Sequence, residues 1–88
     1  MQLDDQAVEI LRLSGRPMQI DEIGLAVKAY FGVPMPPFHD TAKAVYGPAR
    51  RWIARDSRHT FSVSEEAWHR YLLDRRYPEL KDDDLEGA

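Results

Sequence analysis

Cysteine is absent from the 88 residues of this chain. Its absence excludes disulfide bonds, thiolate nucleophiles and cysteine-based zinc sites. Long hydrophobic runs are missing too, since no apolar stretch approaches the ~20 residues that a membrane-spanning helix requires. The amino terminus, MQLDDQAVEI, is acidic where a secretory signal is basic. We therefore expect a soluble, cytoplasmic protein that does not contact a membrane.

Residues that commonly hold metals or carry out catalysis are also few. The three histidines, His39, His59 and His69, lie far apart and form no H-x-H or H-x-x-x-H pattern. The pair His39-Asp40 could orient an imidazole for general-base catalysis, but no nucleophile or oxyanion-binding element accompanies it. The glycines form no phosphate-binding loop. The sequence therefore predicts no metal, no cofactor, no small-molecule substrate and no enzymatic activity.

Charge is unevenly distributed along the chain, although the formal net charge is only −3. Residues 41–60 contain one acid and five bases, which gives this segment a local charge of +4. Residues 81–88, KDDDLEGA, contain four acids and one base. A basic segment in an acidic chain is typical of a surface that contacts nucleic acid, and the acidic end would compete for that surface.

Apolar residues recur at helical spacing in two early segments. They predict a first helix over residues 4–14 and a second over residues 21–31, each followed by a glycine that favours a helix end. Between them, residues 18–20 (MQI) are short and alternating, which predicts a strand. Residues 33–40 (VPMPPFHD) contain three prolines, so we predict a non-helical connector that lies against the body of the domain.

A third helix is predicted over residues 41–56, with Asp40 or Thr41 as its N-cap. The dipeptide Gly47-Pro48 interrupts it, because proline has no amide N–H to donate to the carbonyl group four residues earlier. The helix therefore either kinks there or ends near Tyr46 and begins again. If it is continuous, its apolar side chains share one face, which we predict to pack in the core: Val45, Ala49, Trp52 and Ile53.

The carboxy-terminal part begins with an alternating segment, residues 57–63, that predicts a strand. Ser64 then favours a capped fourth helix over residues 64–75, while a second strand of a wing is the alternative for the same residues. Residues 1–76 are predicted to form one domain, and residues 77–88 an acidic, disordered tail.

The predicted order of elements, α-β-α-α-β followed by one more helix, is that of a small winged helix-turn-helix domain. We expect a mainly α fold with a three-helix core, a short two-stranded β element and an additional C-terminal helix. In this fold the two strands, residues 18–20 and 57–63, would pair across one edge of the helical core.

Two stretches, AVEILRLSGRPMQIDEIGLAVKAYFG and TAKAVYGPARRWIARDSRHTFSV, resemble the HARE-HTH type of winged-helix domain over roughly residues 5–63. The matching positions are Gly15 to Met18, Glu22-Ile23, Thr41, Arg50-Arg51 and Phe61. The chain departs from the family at the Gly-Pro break, and it lacks the glycine through which the family's wing returns. Such domains occur in chromatin-associated proteins, restriction-system proteins and the delta subunit of bacterial RNA polymerase. The resemblance therefore implies DNA binding or contact with the transcription machinery.

The basic segment supplies the candidate binding residues. In a helix-turn-helix domain the third helix enters the major groove of DNA, where arginine binds guanine edges and both arginine and lysine contact phosphates. The residues predicted to face the groove are Lys43, Arg50 and Arg51. The residues predicted to position phosphates are Arg55, which would flank the third helix, and Arg58 and His59, which lie at the place of a wing. The main hypothesis is a module that binds double-stranded DNA in transcription regulation or in a DNA-processing or defence system.

Two other interpretations fit the same sequence. Arginine and lysine on the solvent side of a helix also keep a small domain soluble without binding a ligand. The negative net charge and the apolar VPMPPF stretch favour instead a protein-interaction adaptor on a winged-helix scaffold, as a homodimer or a partner of the transcription machinery. Val33, Met35 and Phe38 could exceed the apolar surface that one small core absorbs, and such a surplus marks an interface.

Overall fold

Four α-helices and one β-hairpin make up the part of the chain that the computed structural model describes, residues 1–57 and 59–80. The helices are α1 (Leu3–Ser14), α2 (Ile20–Phe31), α3 (Phe38–Tyr46) and α4 (Glu65–Tyr71). The strands are β1 (Ala54–Arg55) and β2 (Phe61–Ser62), which pair in an antiparallel manner. A 3₁₀ turn, Arg50–Trp52, precedes β1, and a π-helical turn, Leu72–Arg76, extends α4. This mainly helical arrangement confirms the predicted winged helix-turn-helix class.

The first two helices begin and end close to their predicted bounds. Each ends at a glycine in the left-handed region, Gly15 with φ 64° and Gly32 with φ 67°, where a side chain would be strained. At the start of α2, the backbone N–H of Gln19 donates to Oε1 of Glu22 at 2.9 Å. Because these signals are local, the sequence pattern predicted the first and last residues of both helices to within one residue.

The pairing predicted between residues 18–20 and the later strand is present as a single bridge. The Met18 N–H donates to the Phe61 carbonyl at 2.9 Å, and the Phe61 N–H donates to the Met18 carbonyl at 2.8 Å. Strand β2 therefore lies between Met18 on one edge and β1 on the other. The predicted strand over residues 57–63 is reduced to β2, because Asp56 and Thr60 lie in the connection between the strands, where the Asp56 N–H donates to the Thr60 carbonyl at 3.0 Å.

The start of α3 differs from the prediction. Residues 38–40 were predicted to belong to the connector, but they form the first turn of α3, and Pro37 occupies the N-cap position. The predicted cap Thr41 lies inside the helix, fully buried, where its hydroxyl donates to the Pro37 carbonyl at 3.2 Å. Prolines are tolerated at a helix start because no intrahelical donor is lost there. The connector therefore ends at its last proline.

The core lies where α1, α2 and α3 meet α4 and β2. Its largest fully buried apolar side chains include Val8, Leu11, Ile23 and Val27 from α1 and α2, and Tyr71 from α4. Val45, Ala49 and Trp52 are also buried, as predicted, while Ile53 is partly buried. Among the helices of the described residues, none is long and apolar enough to cross a lipid bilayer.

Helix α4 resolves the alternative left open for residues 64–75. Ser64 caps this helix, since its hydroxyl oxygen accepts a hydrogen bond from the Ala67 N–H at 3.0 Å. Tyr71 is fully buried and its hydroxyl donates to Oδ1 of Asp5 at 2.8 Å. Arg75 pairs with Asp4 at 3.2 Å and with Asp5 at 3.3 Å. The carboxy-terminal helix is thus joined to the first turn of α1. Residues 81–88, most of the predicted tail, lie outside the described residues.

We expect the substitution Tyr71→Phe to lower the free energy of unfolding by about 1 kcal/mol at neutral pH, because it removes the hydrogen bond to Asp5. Urea denaturation followed by circular dichroism measures the loss. Tyr77→Phe is the matched control, since Tyr77 is half exposed and its hydroxyl makes no hydrogen bond among the described residues. Equal stability of the two variants would show that the Tyr71–Asp5 contact contributes nothing.

We expect the buried Tyr71 hydroxyl to make the free energy of unfolding fall at high pH. Burial raises the pKa of Tyr71 above the ordinary tyrosine value of 10.0, and the hydrogen bond to Asp5 raises it further. Because the folded chain holds this proton more tightly than the unfolded chain, the associated stability is complete below pH 10 and declines as the pH rises further. Denaturation series from neutral pH to about pH 11 should show this decline in the wild type and a shallower one in Tyr71→Phe.

Candidate nucleic-acid interface

The predicted long third helix is broken at Gly47-Pro48, so the single helix over residues 41–56 was wrong. Helix α3 ends at Tyr46, which confirms the second of the two alternatives. Pro48 has no N–H to donate to the Ala44 carbonyl, and the Ala49 N–H takes that acceptor at 3.1 Å. The chain therefore turns away from the axis of α3 at Gly47-Pro48, although the spacing of the apolar residues fits a continuous helix.

The chain resumes as the 3₁₀ turn Arg50–Trp52, which we call the arginine turn. Its hydrogen bonds span three residues: the Arg50 N–H donates to the Gly47 carbonyl and the Trp52 N–H to the Ala49 carbonyl, both at 3.1 Å. Trp52 points inward and is only 3% exposed. The two arginines before it are exposed, so the turn carries one anchor and two solvent-facing cations.

Trp52 fixes this turn to the carboxy-terminal helix. Its indole N–H donates to Oδ2 of Asp74 at 3.3 Å, and its ring meets that of Tyr71 edge to face with 5.1 Å between centroids. The guanidinium groups of Arg75 and Arg51 lie 5.1 Å and 5.4 Å from the centroid of the Trp52 ring. The position of the two exposed arginines is therefore set by a packed side chain.

Three of the predicted cations are exposed and unpaired within residues 1–57 and 59–80: Lys43, Arg50 and Arg51. Other arginines do form ion pairs elsewhere in the domain: Arg16, Arg70, Arg75 and Arg76. Carboxylates such as Asp4 and Glu9 are thus engaged on the face formed by α1 and the end of α4. The positive charge of the arginine turn is left for solvent or for a ligand.

The remaining predicted residues belong to the hairpin. Arg55 was predicted to flank the third helix, but it is exposed on β1, where its backbone pairs with that of Phe61 in strand β2. His59 is exposed in the loop between the two strands, as predicted for a wing. Arg58 lies outside the described residues. The wing therefore does return into a second strand, without the glycine that the family pattern uses.

The structure does not bring all of the predicted cations together. Lys43 lies beside Asp4 and Asp40, near the start of α1. Arg50 borders a cavity of about 280 Å³ that it shares with Arg55, and Arg51 lies on the side nearest α4. We call Arg50, Arg51 and Arg55 the basic edge. Within the described part of the chain, Lys43 lines none of the cavities that these arginines border.

The exposed face of α3 is aromatic, which the sequence analysis missed. Phe38 and Tyr46 are 63% and 52% exposed. They line an open groove of about 550 Å³ between α3, the start of α2 and the hairpin, which we call the aromatic groove. Its lining residues are Gln19, Ile20, Asp21, Phe38, Ala42, Tyr46, His59 and Phe61. The spacing of residues 38, 42 and 46 would have shown this face if α3 had been predicted to start after Pro37.

The described residues contain no group of three histidine or carboxylate side chains that could hold a metal ion. No family model, no curated protein and no solved structure matches the chain. The class of the protein therefore follows from its own geometry, which is that of a small winged helix-turn-helix domain. Two features of its surface are candidates for a binding site, the basic edge and the aromatic groove.

We expect Gly47→Ala to displace the arginine turn, because a Cβ at this position would lie 2.6 Å from the Lys43 carbonyl oxygen. The free energy of unfolding should fall by about 1–3 kcal/mol, and the fluorescence of the buried Trp52 should change. Gly24→Ala is the matched control, since its Cβ would make an ordinary 3.5 Å contact with Met35. It should raise stability by about 0.5–1 kcal/mol. An equal effect of both variants would contradict this account of the break.

Proposed function

We propose that this chain is a winged-helix module that binds double-stranded DNA in transcription regulation or in a DNA-processing or defence system, with a cytoplasmic location. The observation that carries the proposal is a pair of exposed arginines on the turn that follows α3, which make no ion pair within the part of the chain that the structure describes. The resemblance to HARE-HTH domains supports the same class of ligand. We propose a binding role and no catalytic one.

We infer tasks for the predicted residues that differ from those suggested by the sequence. Arg50 and Arg51 lie beyond the end of α3, so we place them at the flank of that helix and not on the side that would face the groove. A guanidinium group at such a flank suits bidentate contact with phosphate oxygens. Arg55 and His59 on the hairpin extend this row of phosphate contacts. Phosphate contacts position a protein on DNA, and the face of α3 is left to approach the bases.

The acidic residues of the chain are consistent with weak non-specific binding. The net charge is −3, so a long-range attraction to DNA is limited and the local field of the basic edge decides the contact. Residues 81–88 carry four of the acids. We propose that this segment competes with DNA for the basic edge.

Reversal of both charges in Arg50→Glu/Arg51→Glu should abolish binding to duplex DNA at ~50 mM salt, measured by fluorescence anisotropy. Each single change to alanine should lower the log–log dependence of affinity on salt by about one unit, as expected for the loss of one phosphate contact.

The matched control is Arg12→Glu/Lys28→Glu, which introduces the same charge on α1 and α2, away from the basic edge. This control should keep most of the affinity. Equal losses in both double variants would mean that net charge alone governs binding, and absence of wild-type binding would remove the proposal.

A second candidate function is a protein-interaction adaptor, favoured by one observation. Leu25 and Tyr30 on α2 and Met35 in the connector are exposed apolar side chains, and an exposed apolar surface often marks an interface. Val33, by contrast, packs against the core. The predicted apolar surplus is therefore carried by Met35 and by Phe38 of α3.

For the adaptor, light scattering should find a dimer that persists in Arg50→Glu/Arg51→Glu and dissociates in Leu25→Glu/Tyr30→Glu. The dimer should not depend on DNA. A monomer at every concentration would remove the homodimeric form of this candidate.

A further inference from the structure

The aromatic groove has the composition of a site for a flat ring rather than for an aliphatic side chain. Phe38 and Tyr46 line it, and buried Phe61 forms part of its wall. The Tyr46 ring meets the Phe61 ring edge to face at 5.4 Å between centroids, which restricts its motion. The volume of about 550 Å³ falls within the range of about 300–1,000 Å³ that is usual for ligand sites.

Polar groups lie around this aromatic wall. Gln19 and Asp21 stand at the start of α2, and His59 stands on the hairpin loop. Together an amide, a carboxylate and an imidazole offer both donors and acceptors of hydrogen bonds. A nucleobase presents both kinds of group on its edge, so these side chains could bind it while its ring stacks.

The groove is continuous with the basic edge through two shared residues. Tyr46 and Phe61 border the groove, and both also border the neighbouring cavity formed with Arg50 and Arg55. A ligand that contacts these arginines through phosphates therefore has its next ring system within reach of Tyr46. A peptide of acidic and apolar residues would match the charge, but it would not use the polar groups at the far rim.

We propose that the aromatic groove takes an unpaired nucleobase of a DNA strand whose phosphates contact the basic edge, with Tyr46 and Phe38 as its stacking surfaces. This inference rests on the DNA-binding function proposed above. It assigns to the face of α3 a preference for DNA that contains a base outside the double helix, such as a bulge, a mismatch or a junction. Extrusion of a base costs least where pairing is already lost.

The test uses the full chain and three fluorescent duplexes of equal length. One is fully paired, one carries a single unpaired thymine, and one carries an abasic sugar-phosphate at the same place. The last two have the same backbone and the same charge, and they differ only in the base. Because a base stacked on an aromatic side chain contributes substantially to affinity, the thymine bulge should bind about tenfold more tightly than the abasic bulge.

Single substitutions test whether the aromatic groove is responsible for the preference for the thymine bulge. Tyr46→Ala and Phe38→Ala should each bring the two bulged duplexes to nearly equal affinity. Tyr46→Phe retains a ring and should retain the preference. Tyr30→Ala is the matched control, since Tyr30 is an exposed tyrosine, 59% against 52% for Tyr46, that lines no part of the groove. Circular dichroism shows whether each variant is folded. If Tyr46→Ala does not fold, the affinities of Phe38→Ala for the two bulged duplexes test the assignment to the groove.

Each outcome has a distinct meaning. Binding to all three duplexes with equal affinity overturns the base site and leaves the DNA-binding function intact. A preference that survives both alanine variants overturns its assignment to this groove. No binding to any duplex removes the proposed function together with the base site, and the groove is then left to a protein ligand.

Discussion

The missing amide hydrogen of Pro48 is the constraint on which the candidate interface depends. It prevents α3 from continuing, and the close approach of Gly47 to the Lys43 carbonyl leaves no room for a side chain at the break. The chain therefore turns before Arg50, and two residues that would have lain on a helix face become part of a separate turn. The hairpin can begin as early as Ala54 only because the helix ended at Tyr46.

A turn of three residues has little stability of its own, so its position must be fixed by packing. Trp52 provides this anchor through its ring contact with Tyr71 and its hydrogen bond to Asp74. Tyr71 is in turn bonded to Asp5 at the start of α1. The carboxy-terminal helix thus connects the first turn of the domain to the turn that carries the arginines. The helix that follows the hairpin therefore fixes the position of the candidate interface relative to α1.

The sequence predicted best what local signals determine. Helices α1 and α2 follow from their apolar periodicity and from Gly15 and Gly32, and burial of Trp52 followed from apolar spacing alone. Strand β1 was not predictable in this way, because its two residues carry no strand pattern and become a strand only by pairing with β2. The aromatic groove was missed for the same kind of reason. Three segments distant in the sequence form it, and no one of them indicates a site by itself.

Under the proposed function, the basic edge alone would supply too little binding free energy, and the aromatic groove would add to it. The basic edge and His59 offer only about four phosphate contacts, which would give a log–log salt dependence of about four units and modest affinity at physiological salt. Lys43 lines a different cavity, together with Asp4 and Asp40, so it adds little to this row. A module with so few cations and a net charge of −3 would release ordinary duplex readily. Under the proposed function, selective binding to one kind of DNA structure would then depend on non-ionic contacts such as base stacking. Within the described residues, the exposed aromatic side chains of α3 lie beside the basic edge and would provide such contacts.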